Sequence, residues 1–407
     1  MFWKLAWRNI WRNSTRTFLS VLIIAIGIAA LIFTDGLFLG MTSNVIKNAT
    51  ETFIGQAQVH RKGFRDDYAI EKTIHQLPLV LAQLKQQSQI THLSVRLVVQ
   101  GILSGAGGTE PVTIYGVDPQ TEQSLSKFDE GIIEGNYLTS TDGREIILGR
   151  KLREKLELRL GDRLVMSAVE PQNNEMAQEL FRLSGIFHLG EKQLDETVVL
   201  VPIEMLRKMV GLQGEAHEIA LRFDKLDARG QPLFPAKLDD PEQQNELLTW
   251  NKLLPSLDVM MQTSDMSMGI IGAILFFIVG LGIMNSLLMG LYERMFEFGV
   301  LRSIGNTPRQ MLKLIFYETV CLAGISVIGG LILSAILMTL MGYVGIDYSG
   351  IDFGGITFQE KIFPQWTLYQ CIKYPVWAVI CTLLAAIYPG WVVSRILPVE
   401  ALRKRKL

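Results

Sequence analysis

Residues 293–320 read ERMFEFGVLRSIGNTPRQMLKLIFYETV and join two long stretches that carry no charge. Phe296, Phe298, Leu301 and Ile304 offer an apolar face at helical spacing, while Glu297, Arg302 and Arg309 offer charge. Gly305-Asn306 is a helix stop. Thr307-Pro308-Arg309-Gln310 is a helix start, with an N-cap hydroxyl, a proline at the first helical position and a glutamine placed to close a capping box. The expected product is a short helix, a sharp turn and a new helix that runs into the following apolar stretch. Pattern alone leaves two readings open: a stiff hairpin that receives force from a partner, or an ordinary connector at a membrane surface.

Outward from this segment, four windows lack any charged residue: Thr17 to Thr34, Met266 to Tyr292, Thr319 to Ile346 and Tyr374 to Ser394. Each holds at least 18 residues, about what a helix rising 1.5 Å per residue needs to cross a hydrocarbon core roughly 30 Å thick. The whole chain agrees, since 49% of its 407 residues are hydrophobic and mean hydropathy is +0.26, more apolar than soluble domains usually are. The expected fold is an α-helical integral membrane protein with four transmembrane helices plus a large mixed α/β extracytoplasmic domain between the first and second spans. Its expected segments are an interfacial helix at 1–16, spans at 17–41, 266–292, 319–346 and 374–394, the α/β domain at 42–265, a coupling segment at 293–318, a loop at 347–373 and a tail at 395–407.

Net charge is −1, so the distribution of charge carries the information. Lys4, Arg8, Arg12 and Arg16 precede the first window, Arg294, Arg302, Arg309 and Lys313 lie between the second and third, and Arg395, Arg403, Lys404, Arg405 and Lys406 follow the fourth. Basic residues beside spans are retained in the cytoplasm, which places both termini and the short connector inside and the large insert outside. At the N-terminus Trp3, Trp7 and Trp11 share one helical stripe, with Lys4, Arg8 and Arg12 beside it. These are expected at the membrane interface, with indoles among lipid headgroups and cations on phosphates. A cleaved signal peptide fits less well, because its apolar core runs about 7–15 residues and this window is longer and ends in Thr34-Asp35. Nucleic-acid binding is not expected of a basic run that leads straight into a span.

The insert reads as mixed α/β. Strands are expected at Gln56 to Arg61, through the apolar run Leu93 to Leu103, at Pro111 to Val117 and at Ala216 to Phe223, with helices after Pro78 and at Pro241 to Trp250. That order suggests a split βαβ, ferredoxin-like part interrupted by a module near 120–212. In the module, ILGRKLREKLELRLGDRLVM gives a helix, a Gly-Asp turn and a strand, and LFRLSGIF and ETVVLVPIEML give further strands.

Catalytic patterns fail one by one. The nearest approach to a phosphate-binding loop, Gly185 to Lys192, has Glu191 where the second-glycine-lysine pair would need Lys. His217-Glu218 lacks the second histidine of a zinc helix, and LSGAGG at Leu103 to Gly108 reads as a turn between strands. Cys321, Cys371 and Cys381 lie in or beside spans, so no disulfide framework or metal spacing exists outside. No enzyme, metal site or cofactor is expected on this chain. Asn285 and Ser286 in the second span and Asp35 beside the first are either a polar path or helix-packing contacts, and Gly27, Gly280, Gly282, Gly329 and Gly330 mark close helix approaches.

EFGVLRSIGNTPRQM resembles the coupling segment of the FtsX-like, MacB-type ABC-transporter permeases. KLAWRNIWRNSTRTFLSVLIIAIGIAA is similar to that superfamily's interfacial helix and first span, ILGRKLREKLELRLGDRL to its external domain, and YPGWVVSRILPVEALR to its fourth span and tail. The resemblance implies a permease subunit in the bacterial inner membrane that works with two copies of a separate ATP-binding cassette ATPase, which binds the ATP and Mg. It also implies a second permease, as homodimer or heterodimer. The coupling role falls on Glu297, Gly299, Leu301, Arg302, Ile304 and Gly305, and a substrate cavity on Met266, Met268 and Asn285. A chain of this length without a fused ATPase looks most like the lipoprotein-releasing LolC and LolE branch, whose substrate is a lipoprotein passed to a periplasmic carrier. The loop at Glu170 to Glu179, EPQNNEMAQE, stands where that branch recruits its carrier, but it lacks proline- and aromatic-bearing character there. A MacB-like exporter of a peptide, lipid or small molecule, or a receptor with no energy input, remains the alternative. A secondary transporter is disfavoured, since inverted repeats and paired intramembrane charges are absent.

Overall fold

The computed structural model describes the chain except for residues 1, 13, 174, 228–229, 234–237, 239–241, 243, 348–351, 354–355, 358–360 and 396–407. The expected basic tail at Arg403, Lys404, Arg405 and Lys406 therefore lies outside the described residues, as does the side chain of Arg16. The chain opens with α1 (Phe2–Arg12) and α2 (Ser14–Ala49), which is followed by a π-helical turn at Thr50–Ile54. Next come β1 (Ala57–Arg61), α3 (Phe64–Asp67), α4 (Leu77–Lys85), β2 (Ile90–Gly105), β3 (Gly108–Val117), α5 (Pro119–Leu125), β4 (Ile132–Gly135) and β5 (Glu145–Gly149). They are followed by α6 (Arg150–Lys155), β6 (Arg163–Val169), β7 (Met176–Phe187), α7 (Lys192–Thr197), β8 (Val198–Pro202), α8 (Ile203–Val210), β9 (Glu218–Phe223), β10 (Asn245–Thr249) and α9 (Trp250–Leu253). The last part holds α10 (Pro255–Glu293), α11 (Met295–Ser303), α12 (Pro308–Val344), the short strands β11 (Asp352–Phe353) and β12 (Ile356–Thr357), and α13 (Leu368–Ser394).

Two compact units result: Met1–Met41 with Gln262–Asp347 and Ile362–Leu407, and Thr42–Met261 with Tyr348–Lys361. The first is a helical bundle. Among the described residues four helices are long and apolar enough to cross a membrane. Its core joins Ile24, Ile28 and Leu31 of α2 to Phe276, Val279 and Ile283 of α10, with Leu322 of α12 and Ala378 of α13. Gly330 lets α12 approach α2, since a Cβ there would stand 2.9 Å from Ile28. Gly27 is similarly close to Val279, but Gly280, expected at a close approach, meets nothing within 4 Å. Helix ends also differ from the uncharged windows. The helix expected over 17–41 begins at Ser14 and continues to Ala49, and the one expected from 266 begins at Pro255. Main-chain hydrogen bonding carries a helix through charged residues such as Lys47 and Asp258, where a hydropathy window stops.

In the second unit, β10, β1, β9 and β2 lie side by side in that order. β9 is antiparallel to both β1 and β2, so these two run parallel with β9 between them, a split βαβ unit whose crossover contains α4. Leu77, Val80 and Leu84 recur on one face of α4 and bury against Val59, Ile219 and Leu221. Of the stretch expected as a helix from Pro241 to Trp250, residues 241 and 243 lie outside the described residues, 245–249 form the edge strand β10, paired residue for residue with β1, and helix begins at Trp250. Pairing with an open sheet edge outweighs the short helical pattern there.

The strands after residue 120 do not make a sheet of their own. β2 pairs with β3, β3 with β8, β8 with β5, β5 with β7, β7 with β6, and β6 with β2 again, so six strands close a ring. Alternate residues point inward, among them Leu97, Ile114, Ile146, Met166, Phe181 and Val199. Each buried side chain of this size contributes roughly 1.5–3 kcal/mol. Gly101 sits where a Cβ would meet the Ser167 carbonyl at 2.6 Å, which lets β2 serve both the ring and the split βαβ layer.

Candidate functional site

The hairpin of α11 and α12 is built as its residue types require. Thr307 and Gln310 form a full capping box on α12, and the Thr307 N–H donates to Gln310 Oε1 at 2.7 Å. Gly305 has φ +104°, the left-handed region that favours glycine. The Gly305 N–H donates to the Arg302 carbonyl, and both the main-chain and side-chain N–H groups of Asn306 donate to the Leu301 carbonyl, at 3.1 and 3.0 Å. These bonds satisfy the orphan carbonyls at the end of α11.

The residues assigned to coupling do not share one environment. Ile304 is 76% exposed and Gly305 is exposed, whereas Leu301 and Arg302 are half-buried. Phe298 and Gly299 are buried, Phe298 among Ala6 of α1, Leu291, Met311, Leu314, Ile315 and Val393. The expected apolar face therefore splits: at 100° per residue Ile304 lies well round the helix from Phe298, so Phe298 and Leu301 seat α11 while Ile304 stands free at the tip.

Glu297 is bound from two sides within the chain. Arg12 Nη2 donates to its Oε1 at 2.5 Å and Arg294 Nε to its Oε2 at 3.3 Å. Partial burial works against the ionised form, but these hydrogen bonds and the two guanidinium charges hold the carboxyl below its ordinary value. Arg294 also reaches Glu318 of α12 at 3.3 Å and lies over the Phe298 ring at 5.4 Å. An ionic chain, Arg12 to Glu297 to Arg294 to Glu318, thus ties α1, α11 and α12 together. Sequence reading placed Arg12 on lipid phosphate, counted Arg294 only among the basic residues that set orientation, and gave Glu318 no role. Position was the one further signal, since Glu318 bounds the third uncharged window and Arg294 stands two residues beyond the second.

The interfacial residues divide likewise. Trp3, Trp7 and Trp11 are half-exposed, and Lys4 and Arg8 are exposed. Trp3 packs edge-on against Tyr317 of α12 at 6.0 Å, and Ala6 and Ile10 are buried. One face of α1 is therefore a protein contact.

Of the three residues expected at a cavity, Met268 lines a groove. A groove of about 560 Å³ lies between α10 and α13, lined by Met268, Phe276, Gly280, Lys373, Trp377 and Leu384 among others. Met266 is 64% exposed, about 200° round the helix from Met268, and Asn285 is also exposed. Ser286 does make a packing contact, a 2.5 Å hydrogen bond to Ser20 of α2. Among the described residues no group of three His, Cys, Asp or Glu side chains is placed to hold a metal.

Comparisons with known proteins bear on both units. A family model described as MacB-like periplasmic core domain matches residues 17–231, and one described as FtsX-like permease C-terminal matches residues 269–398. The lipoprotein-releasing system transmembrane protein LolC of Xylella fastidiosa is 21% identical over 402 residues, which cover 94% of this chain and 92% of that one. The pyoverdine export ATP-binding/permease protein PvdT of Pseudomonas fluorescens is 22% identical over 347 residues, 80% of this chain and 49% of that one. Among solved structures, the periplasmic region of MacB from Actinobacillus actinomycetemcomitans aligns at 14% identity with a TM-score of 0.33, covering 52% of this chain and 94% of that one.

Proposed function

The chain belongs to the FtsX-like, MacB-type family of ABC transporter permeases, and from that premise we propose that it works by mechanotransmission. Two copies of a separate ATPase, carrying ATP and Mg, press on the α11–α12 turn and so move the periplasmic domain. The observation that carries this reading is the exposed tip Ile304-Gly305 on a base held by a capping box, a buried Phe298 and the Arg12–Glu297 pair. A tip that stands free on a rigid base can accept a push without absorbing it. α2 and α10 support the same reading, because each is one unbroken helix, over Ser14–Ala49 and Pro255–Glu293, longer than a bilayer crossing needs.

Leu301, Arg302, Ile304 and Gly305 would meet the ATPase, while Glu297 and Gly299 hold the hairpin in place. The hairpin and both termini would face the cytoplasm. A second permease, identical or related, would complete the assembly. The cargo we favour is a lipoprotein released from the inner membrane, with acyl chains suited to the apolar groove between α10 and α13. Export of a peptide, lipid or small molecule is the second reading, drawn from the likeness to PvdT. Depletion of the chain in cells tests between them. Lipoproteins retained in the inner membrane support release, and normal lipoprotein sorting with loss of an exported compound supports export.

A further inference from the structure

The groove between α10 and α13 takes none of its lining from the coupling hairpin. Its lining runs from Met268 to Met284 on α10 and from Lys373 to Ala385 on α13. At 1.5 Å per residue those stretches extend about 24 and 18 Å, against roughly 15 Å for one leaflet of an about 30 Å hydrocarbon core. The groove exists because side chains are missing from it. A Cβ at Gly269 or Gly280 would meet nothing within 4 Å, and one at Gly272 would meet Leu31 at 3.8 Å. Phe276 forms a buried part of the wall, while Trp377 and Leu384 stand exposed.

Among the described residues that line this apolar slot, Lys373 alone carries a charge. Its ammonium lies 5.5 Å from the Tyr369 ring centre and 5.0 Å from that of Tyr374. Ring faces favour a cation but do not neutralise it, and among the described residues no carboxylate forms an ion pair with Lys373. The carboxylates that act on Tyr374, Asp35 of α2 and Asp265 of α10, are drawn to its hydroxyl, which donates to Asp35. Tyr369, Lys373 and Trp377 stand four residues apart, a single stripe of α13, and both aromatic side chains are exposed. Exposed Tyr and Trp collect at the level of lipid headgroups, so the stripe sets the ammonium at that level with the apolar slot below it. A lysine here also runs against the ordinary placing of basic residues. Val393, near the other end of α13, packs with Phe298 of the hairpin, so Lys373 stands at the end away from the basic connector, where span-flanking cations are disfavoured.

We propose that the groove binds a phospholipid of the bilayer with an anionic headgroup, its phosphate on Lys373 and an acyl chain along the glycine floor of α10. Charge complementarity selects the headgroup, and the missing side chains at Gly269, Gly272 and Gly280 make room for the chain. Burial of the chain supplies most of the affinity, since it grows with each methylene removed from water. The ammonium supplies the preference, because one basic residue at an anionic lipid surface changes binding about fivefold. That preference falls as salt rises. The groove is the one to which acyl chains of the cargo were assigned above, but the proposal does not rest on that cargo: the bilayer lipid fills the groove when no cargo chain has displaced it.

Full-length protein in mild detergent tests this by titration with phosphatidylglycerol and, separately, with phosphatidylcholine of the same acyl chains, the bound lipid being counted by native mass spectrometry. Wild type should bind phosphatidylglycerol about fivefold more tightly. Lys373→Gln should bind the two equally, and Lys373→Arg should keep the preference. Gly280→Leu fills the groove and should weaken both lipids. Equal binding by wild type, or a preference that survives Lys373→Gln, overturns the headgroup contact; unchanged binding by Gly280→Leu overturns the groove. If the Lys373 variants do not fold, the salt dependence of the wild-type preference decides, its loss at high salt supporting the proposal and its persistence contradicting it. A lipoprotein on the purified wild type with no phospholipid bound also overturns the proposal and leaves the cargo reading standing. None of these measurements involves an ATPase, so the permease reading stands or falls apart from them.

Discussion

At Gly305 the backbone lies at φ +104° with open space around it, so a side chain there meets backbone strain and no clash. Gly305→Val is expected to cost about 1–3 kcal/mol, read as a lower melting temperature, and to displace the neighbouring Ile304 tip. Glu297 is a different case. Its pair with Arg12 is half-exposed on both sides, so Glu297→Gln should cost no more than about 1 kcal/mol at neutral pH. Its carboxyl is held below the ordinary value, so the contribution is present above the unfolded pKa and lost as pH falls through the folded one. Melting of wild type and variant should therefore converge on acidification and not on alkalinisation. Residue roles of this kind were only half legible. Gly305-Asn306 announces a helix stop, but nothing in the spacing parts Ile304 from the face expected to hold Phe298, tells Arg12 to choose a carboxylate 285 positions away over a lipid phosphate, or shows that Glu218 shares the buried Arg96 guanidinium with Glu122.

Among elements, legibility followed the length of the pattern. The long uncharged windows announced helices because burial from water and from lipid both require internally bonded backbone, while their true ends, at Ser14, Ala49 and Pro255, are set by hydrogen bonding that hydropathy does not see. The capping box at Thr307 was readable from four residues because its chemistry is local. Thr307→Ala is expected to cost about 1 kcal/mol, measured by chemical or thermal unfolding, and to raise amide exchange in the first turn of α12. The strand β10 was missed because an edge strand is defined by its neighbour β1, which lies far away in sequence. Helix packing gives a sharper test. A leucine at Gly330 would drive into Ile28, so Gly330→Leu should destabilise the α2–α12 contact by about 1–3 kcal/mol, whereas Gly280→Leu, on an open groove, should leave melting unchanged.

For the whole molecule, the sequence carried the four spans, the split βαβ order and the permease resemblance, because each rests on periodicity or on a contiguous motif. It did not carry the closed six-stranded ring, which needs β6 to pair with both β2 and β7, a long-range closure that no window contains. The account centres on one element, a hairpin whose tip is exposed and whose base is held by a capping box, a buried phenylalanine and an ion pair. The claim on which all of it depends is that an ATPase binds the hairpin. The most direct measurement is ATP hydrolysis that co-purifies in mild detergent with wild type and with a Leu301→Asp, Arg302→Glu double variant of equal melting temperature. The account predicts hydrolysis with wild type and its loss by at least tenfold with the variant. No ATPase on the intact protein, or equal hydrolysis with both, would contradict it.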